Sequence, residues 1–120
     1  MFRLLSILLI IGATTFINVV PSYANAVEVT NDMQHLPTPS SLSFNSFGLW
    51  IIGWGTGAEG ARQRLDNIQR EDVVIIKQKG VTQDMIKAWH SFYEQQSQND
   101  INNPTARFRA KLMKKIIELW

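Results

Sequence analysis

The sequence predicts an all-α protein, a small bundle of about four helices that follows a signal peptide and a flexible arm. Three observations carry this. Apolar residues recur at helical spacing in Ala58, Ala61, Leu65 and Ile68, in Met85, Ile86, Trp89, Phe92 and Tyr93, and in Phe108, Leu112, Met113, Ile116, Leu119 and Trp120. Residues that cap helices, Thr56, Thr82 and Asn103, stand just ahead of each stretch. Pro104 follows Asn103, where a fixed φ and a missing N–H suit the first helical position.

In chain order, residues 1–26 read as an address. Met1-Phe2-Arg3 gives a positive start. The run from Leu4 to Val20 is apolar apart from Ser6, Gly12, Thr14, Thr15 and Asn18, and Ala24-Asn25-Ala26 supplies small residues two apart. That order is the pattern of a secretory signal peptide, cleaved after Ala26 or else after Ala24, and it places the mature chain in the periplasm or outside a bacterial cell. An uncleaved anchor is the alternative, but the run is short for a membrane span and carries polar groups.

Residues 27–43 hold Pro37 and Pro39 among serines and threonines, with no apolar period, and read as the flexible arm. The domain proper is residues 44–120. Phe44 to Gly55 (FNSFGLWIIGWG) is dense in aromatics and glycines. Leu49 to Ile52 has β-forming character, so a short strand or an extended segment lying across the helices is expected. In an extended chain Trp50, Ile52 and Trp54 share one face, with Leu49 and Ile51 on the other. If only one face packs, the other is an anchor for a partner, with Trp50 and Trp54 as the candidate residues; if both are covered, the segment is simply core.

Thr56 and Glu59 form the T-x-x-E of a capping box at the start of the first helix. Gly60 inside that helix costs about 1 kcal/mol against alanine, which implies a close neighbour. In Glu71 to Lys79 the β-branched run Val73 to Ile76 favours a strand. Acids at its start and Lys77, Lys79 and Gly80 at its end favour a short helix, the reading adopted. Thr82 caps the next helix, with Asp84 in its first turn, and Ser97 to Asn103 reads as a loop. On the last helix Arg107, Lys111, Lys114 and Lys115 fall roughly opposite the apolar arc. This basic face is the second candidate surface, for an acidic partner or an anionic membrane surface. The expected core is Ala61, Leu65, Ile68, Ile86, Trp89, Phe92, Phe108, Leu112 and Ile116.

Several spaced pieces resemble a bacterial domain family of uncharacterised function. They are Phe47-Gly48, Gly53-Trp54-Gly55-Thr56-Gly57, Ala61-Arg62, Arg70-Glu71, Gly80-Val81-Thr82, Trp89 with Phe92-Tyr93, Asn103-Pro104-Thr105-Ala106, and Arg109 with Leu112-Met113. Where that family's second helix usually ends in a small residue, this chain carries Lys77-Gln78-Lys79. The resemblance spans residues 44–120. It implies a short all-helical module, found alone in secreted proteins or attached to larger surface and competition proteins, and it brings no mechanism.

Composition excludes much chemistry. A length of 120 residues fits one domain. A net charge of +2 makes no demand for nucleic acid, and none is expected as a partner. With no cysteine there is no disulfide scaffold, thiolate zinc site or thiol nucleophile. His90 and Glu94 share a helix face at metal-compatible spacing but have no second pair, so no metal and no cofactor are expected. Gly53, Gly55 and Gly57 hint at a phosphate-cradling loop. Such a loop needs a preceding strand and a lysine near the helix start, whereas Ala58-Glu59 stands there, so a tight turn is expected. Glu59, Glu71 and Glu94 are candidates for paired-carboxylate hydrolysis by residue type alone. The reading that emerges is an exported protein-interaction module, set in interbacterial competition by the resemblance; a small cell-wall-acting enzyme or toxin is the alternative.

Overall fold

A computed structural model describes residues 31–120, and every regular element in them is helical. The expected signal peptide at residues 1–26 and residues 27–30 of the expected arm lie outside the described residues. After a 3-10 turn at Asn31–His35 come α1 (Phe44–Phe47), a π-helical turn (Gly48–Ile52), α2 (Gly57–Asn67), α3 (Arg70–Gln78), α4 (Gln83–Asn99) and α5 (Pro104–Glu118). Helix α5 is the spine: α4 packs along it, and so does α2.

Two caps are as the sequence implies. Met85 donates its backbone N–H to Thr82 Oγ1 at 3.2 Å, and Ala106 donates to Asn103 Oδ1 at 3.1 Å. Residues 71–79 resolve in favour of helix: α3 buries Val73 and Ile76, and Asp72 caps it by accepting the Gln69 N–H at 2.9 Å. The far end of α3 is tied to the end of α5, where Lys77 Nζ donates to the Trp120 carbonyl at 3.3 Å and lies 5.1 Å from its ring centroid.

Trp89 is the centre of the core, at 0% exposure. The rings of Phe47, Tyr93, Phe44, Trp54 and Phe92 surround it with centroids 5.4–6.1 Å away. Ala61, Ile68, Ile86, Leu112 and Ile116 are buried as expected. Leu65 and Phe92 are half-buried against the core, and Phe108 is half-buried with the Arg107 guanidinium 5.8 Å from its ring.

The expected picture needs four corrections. The arm is not free from residue 31 onward: Met33 is buried in the core, Leu36 and Leu42 pack against it, and the buried Trp89 indole donates its N–H to Pro37 O at 2.8 Å. A buried indole N–H needs an acceptor, and the arm supplies it. Second, Phe44 to Ile52 is helical rather than extended. Ser43 caps it by accepting the Ser46 N–H at 3.1 Å, and the wide π-turn swings Phe47, Ile51 and Ile52 inward together, leaving Leu49 and Trp50 out. The alternation predicted for a strand therefore does not apply. Gly48 is required by space, since a Cβ there would stand 2.0 Å from the Trp54 ring, and Gly53 by its φ of 95°, which closes the turn with its N–H on Gly48 O at 2.7 Å.

Third, the T-x-x-E capping box is not made. Thr56 Oγ1 donates to Gly53 O at 2.7 Å, and Glu59 pairs with Arg62 instead. The close neighbour that Gly60 implied is the Thr56 side chain, 2.2 Å from where a Cβ would stand. Fourth, α4 runs on to Asn99, through the first three residues of the stretch read as a loop, because Ser97, Gln98 and Asn99 tolerate helix and no breaker precedes Asp100.

Candidate functional site

Between the π-helical turn, α2 and α3 lies a cleft of about 570 Å³. Helical period assembles it. Gly60, Gln63, Arg64 and Asn67 recur at i, i+3, i+4 and i+7 along α2, and Asp72, Ile75, Ile76 and Lys79 repeat that spacing along and just past α3. Trp50 and Ile51 close the third side from the π-turn. At this site Trp50 is 64% exposed and Ile75 50% exposed.

Arg64 joins two of the walls. Its Nε donates to Ile51 O at 3.0 Å, and a second guanidinium N–H donates to Trp50 O. Those carbonyls end the π-turn, where no further turn supplies donors. Burial pulls the Arg64 pKa below the usual arginine value, with the Asp72 charge opposing that shift. Lys79 Nζ stands 5.3 Å from the Trp50 ring centroid, within cation–π range. Among the described residues the ion pairs are Arg62–Glu59 and Arg62–Asp66 on the outer face of α2, so neither Arg64 nor Lys79 has a carboxylate at salt-bridge distance there.

The candidate residues end up in different places. Trp50 stands at the cleft. Trp54 is 4% exposed, and its Nε1 donates to Tyr93 Oη at 2.7 Å, so it belongs to the core. Tyr93, buried beside it, has its phenol pKa raised well above the ordinary range by desolvation. Arg107, Lys111 and Lys114 are exposed along α5, with Arg107 donating to Ile101 O at 3.4 Å. Lys115 leaves that face: it is half-buried, and its Nζ donates to Leu65 O at 3.4 Å near the end of α2. None of these four basic residues lines the cleft.

Arg64, Asp72, Ile75 and Lys79 were not singled out from sequence, because what relates them is the crossing of α2 and α3. Arg109 was legible. It shares the i, i+3, i+4, i+7 stripe of Leu112, Met113 and Ile116, and it is 2% exposed, donating a guanidinium N–H to Gly53 O at 3.1 Å. Burial lowers its pKa to about 10, so it stays protonated at neutral pH.

The Gly53–Gly57 loop turns its polar groups inward, since Gly53 O accepts from both Arg109 and Thr56. Asp72 is the carboxylate that lines the cleft; Glu59, Glu71 and Glu94 do not. Among the described residues no group of three His, Cys, Asp or Glu side chains comes together to hold a metal ion, and no helix is long and apolar enough to cross a membrane.

Comparison with known proteins gives two matches. The family described as "Domain of unknown function (DUF4951)" matches residues 23–120. A solved structure described as "NMR structure of the protein from Acinetobacter baumannii" is 56% identical, with a TM-score of 0.64, over 77% of this chain and 91% of that one. No curated protein matches the chain.

Proposed function

This chain belongs to the DUF4951 family of domains of unknown function, and from that premise and the cleft we propose that it is a binding module that receives a segment of a protein partner. The observation that supports the reading is the pairing of Trp50 and Ile75, two large apolar side chains left exposed at one concavity. Small domains rarely leave such groups uncovered, and tryptophan is favoured where partners anchor. The proposal includes the setting: export by the signal sequence at residues 1–26 and a role in interbacterial competition, for which the supports are the A-x-A pattern and the family resemblance.

A photocrosslinking residue in place of Ile75, in living cells, tests it. A discrete adduct is expected there, lost on adding Trp50→Ala, while the same residue in place of Lys111 on α5 gives none. Absence of any adduct at position 75 in a folded, exported protein would overturn the reading. For the setting, the mature protein should begin at Val27 or Asn25 by mass, and a strain lacking it should lose ground in mixed culture with a competitor.

A further inference from the structure

We infer that the segment this cleft takes is short and acidic: a peptide carrying a carboxylate beside a large aliphatic or aromatic side chain. This rests on the binding-module reading and adds the chemistry of the partner. The cleft has two chemical parts. Trp50 and Ile75 offer apolar surface that is half or more exposed. Arg64 and Lys79 bring two cations to the same concavity, with no carboxylate at salt-bridge distance among the described residues. Asp72, the acid that lines the cleft, already accepts the Gln69 N–H at 2.9 Å and so is committed to capping α3. The balance at the wall is one positive charge in excess.

Place makes that excess matter. Lys111 and Lys114 stand exposed on the outer face of α5, where water and salt screen them. Arg64 and Lys79 are half-buried beside isoleucine and indole, so a carboxylate arriving there is screened less and steered more. The polar residues of the α2 wall point to a peptide rather than a fatty anion. Asn67 carries an amide that both donates and accepts, and Gln63, one helical turn before it, donates to Glu59 Oε2 at 3.3 Å and keeps its oxygen as an acceptor; a peptide backbone requires such partners and an alkyl chain does not. A volume of about 570 Å³ is that of a small-ligand site, which limits the occupant to a few residues.

The test uses the isotope-labelled full chain and three short synthetic peptides with blocked ends: leucine alternating with glutamate, with glutamine, and with lysine. Chemical-shift perturbation is read at the Trp50 indole N–H and at the amides of Ile75 and Lys79. The glutamate peptide should move these signals, the glutamine peptide should bind about tenfold more weakly, and the lysine peptide should not bind. Lys79→Glu should reverse the order; Arg64 is left intact because it pins the π-turn. Equal binding of the glutamate and glutamine peptides would overturn the inference, as would shifts confined to Arg107, Lys111 and Lys114. Binding of dodecanoate at these signals with no response to any peptide would also overturn it, in favour of an anionic amphiphile. These results leave the crosslinking test untouched: an adduct at position 75 with no acidic preference preserves the module reading and removes only the acidic segment.

Discussion

Helices α3 and α5 both bury an apolar stripe, yet they present opposite chemistry to the solvent. On α5 the core takes Ala106, Arg109, Ala110, Leu112, Met113 and Ile116, and what remains outside includes Arg107, Lys111 and Lys114. On α3 the core takes Val73 and Ile76, and Val74 and Ile75 stay about half exposed beside the charged residues. Both helices are amphipathic, but α5 leaves no large apolar side chain exposed, its Phe108 and Ile117 being half-buried. A helix that keeps apolar surface after its own core is satisfied has capacity for another contact, which makes α3 rather than the basic helix the place to look for a partner.

Substitutions can break or sharpen that contrast. The largest effect belongs to the inner face of α5: Leu112→Ala should cost about 2–5 kcal/mol, read by chemical denaturation, because the packed site cannot close the cavity. A loss under 1 kcal/mol there would mean α5 is not the spine.

Next is the buried phenol. Tyr93 titrates in the folded state above its ordinary value of 10, so the folded chain holds a proton that the unfolded chain releases. The stability this provides is present below pH 10 and is lost as pH rises beyond it, by at most about 1.4 kcal/mol per pH unit. Arg109 pulls the other way, because burial depresses its pKa to about 10 and the unfolded chain then binds more protons. Tyr93→Phe isolates the first effect: the stability difference between wild type and this variant should move against wild type as pH climbs past 10. A difference independent of pH would mean the phenol is not buried in solution.

A smaller change is expected on the outer face of α3. Ile75→Lys should alter stability by no more than about 0.5 kcal/mol while removing the crosslinked partner. Unfolding by this substitution would move Ile75 into the core and erase the contrast. The smallest effect is on the outer face of α5. Reversing Lys111 and Lys114 together should leave melting unchanged and reduce only a weak, salt-sensitive association with anionic vesicles. Equal association with neutral vesicles would dismiss the electrostatic part.

The parts of this fold that were legible are those where local signals agree. Helices α4 and α5 have one apolar period, a side-chain cap and few competing propensities, and they form as read, apart from the end of α4, which runs on to Asn99. Phe44 to Gly55 was misread because nearly every residue is apolar, so periodicity is silent and β-propensity speaks alone. What decides it is tertiary: Trp54 lying over Gly48, and arginines from two other helices on the carbonyls. Met33 was hidden too, since Met33, Leu36 and Leu42 are scattered without a period through a stretch that holds two prolines. Of the site, Trp50 was visible as an unusual residue. Arg64 and Lys79 were not, because they read as ordinary helix-surface cations until α2 and α3 cross.

The two arginines that hold the π-turn grip its main chain. Arg64 takes the carbonyls of Trp50 and Ile51, and Arg109 takes that of Gly53. The corner is thus indifferent to which side chain projects at position 50. Over evolutionary time that position can exchange one residue for another without rebuilding the scaffold. Relatives with different partners should therefore diverge at position 50 sooner than at 64 or 109, a pattern that sequencing across strains can check.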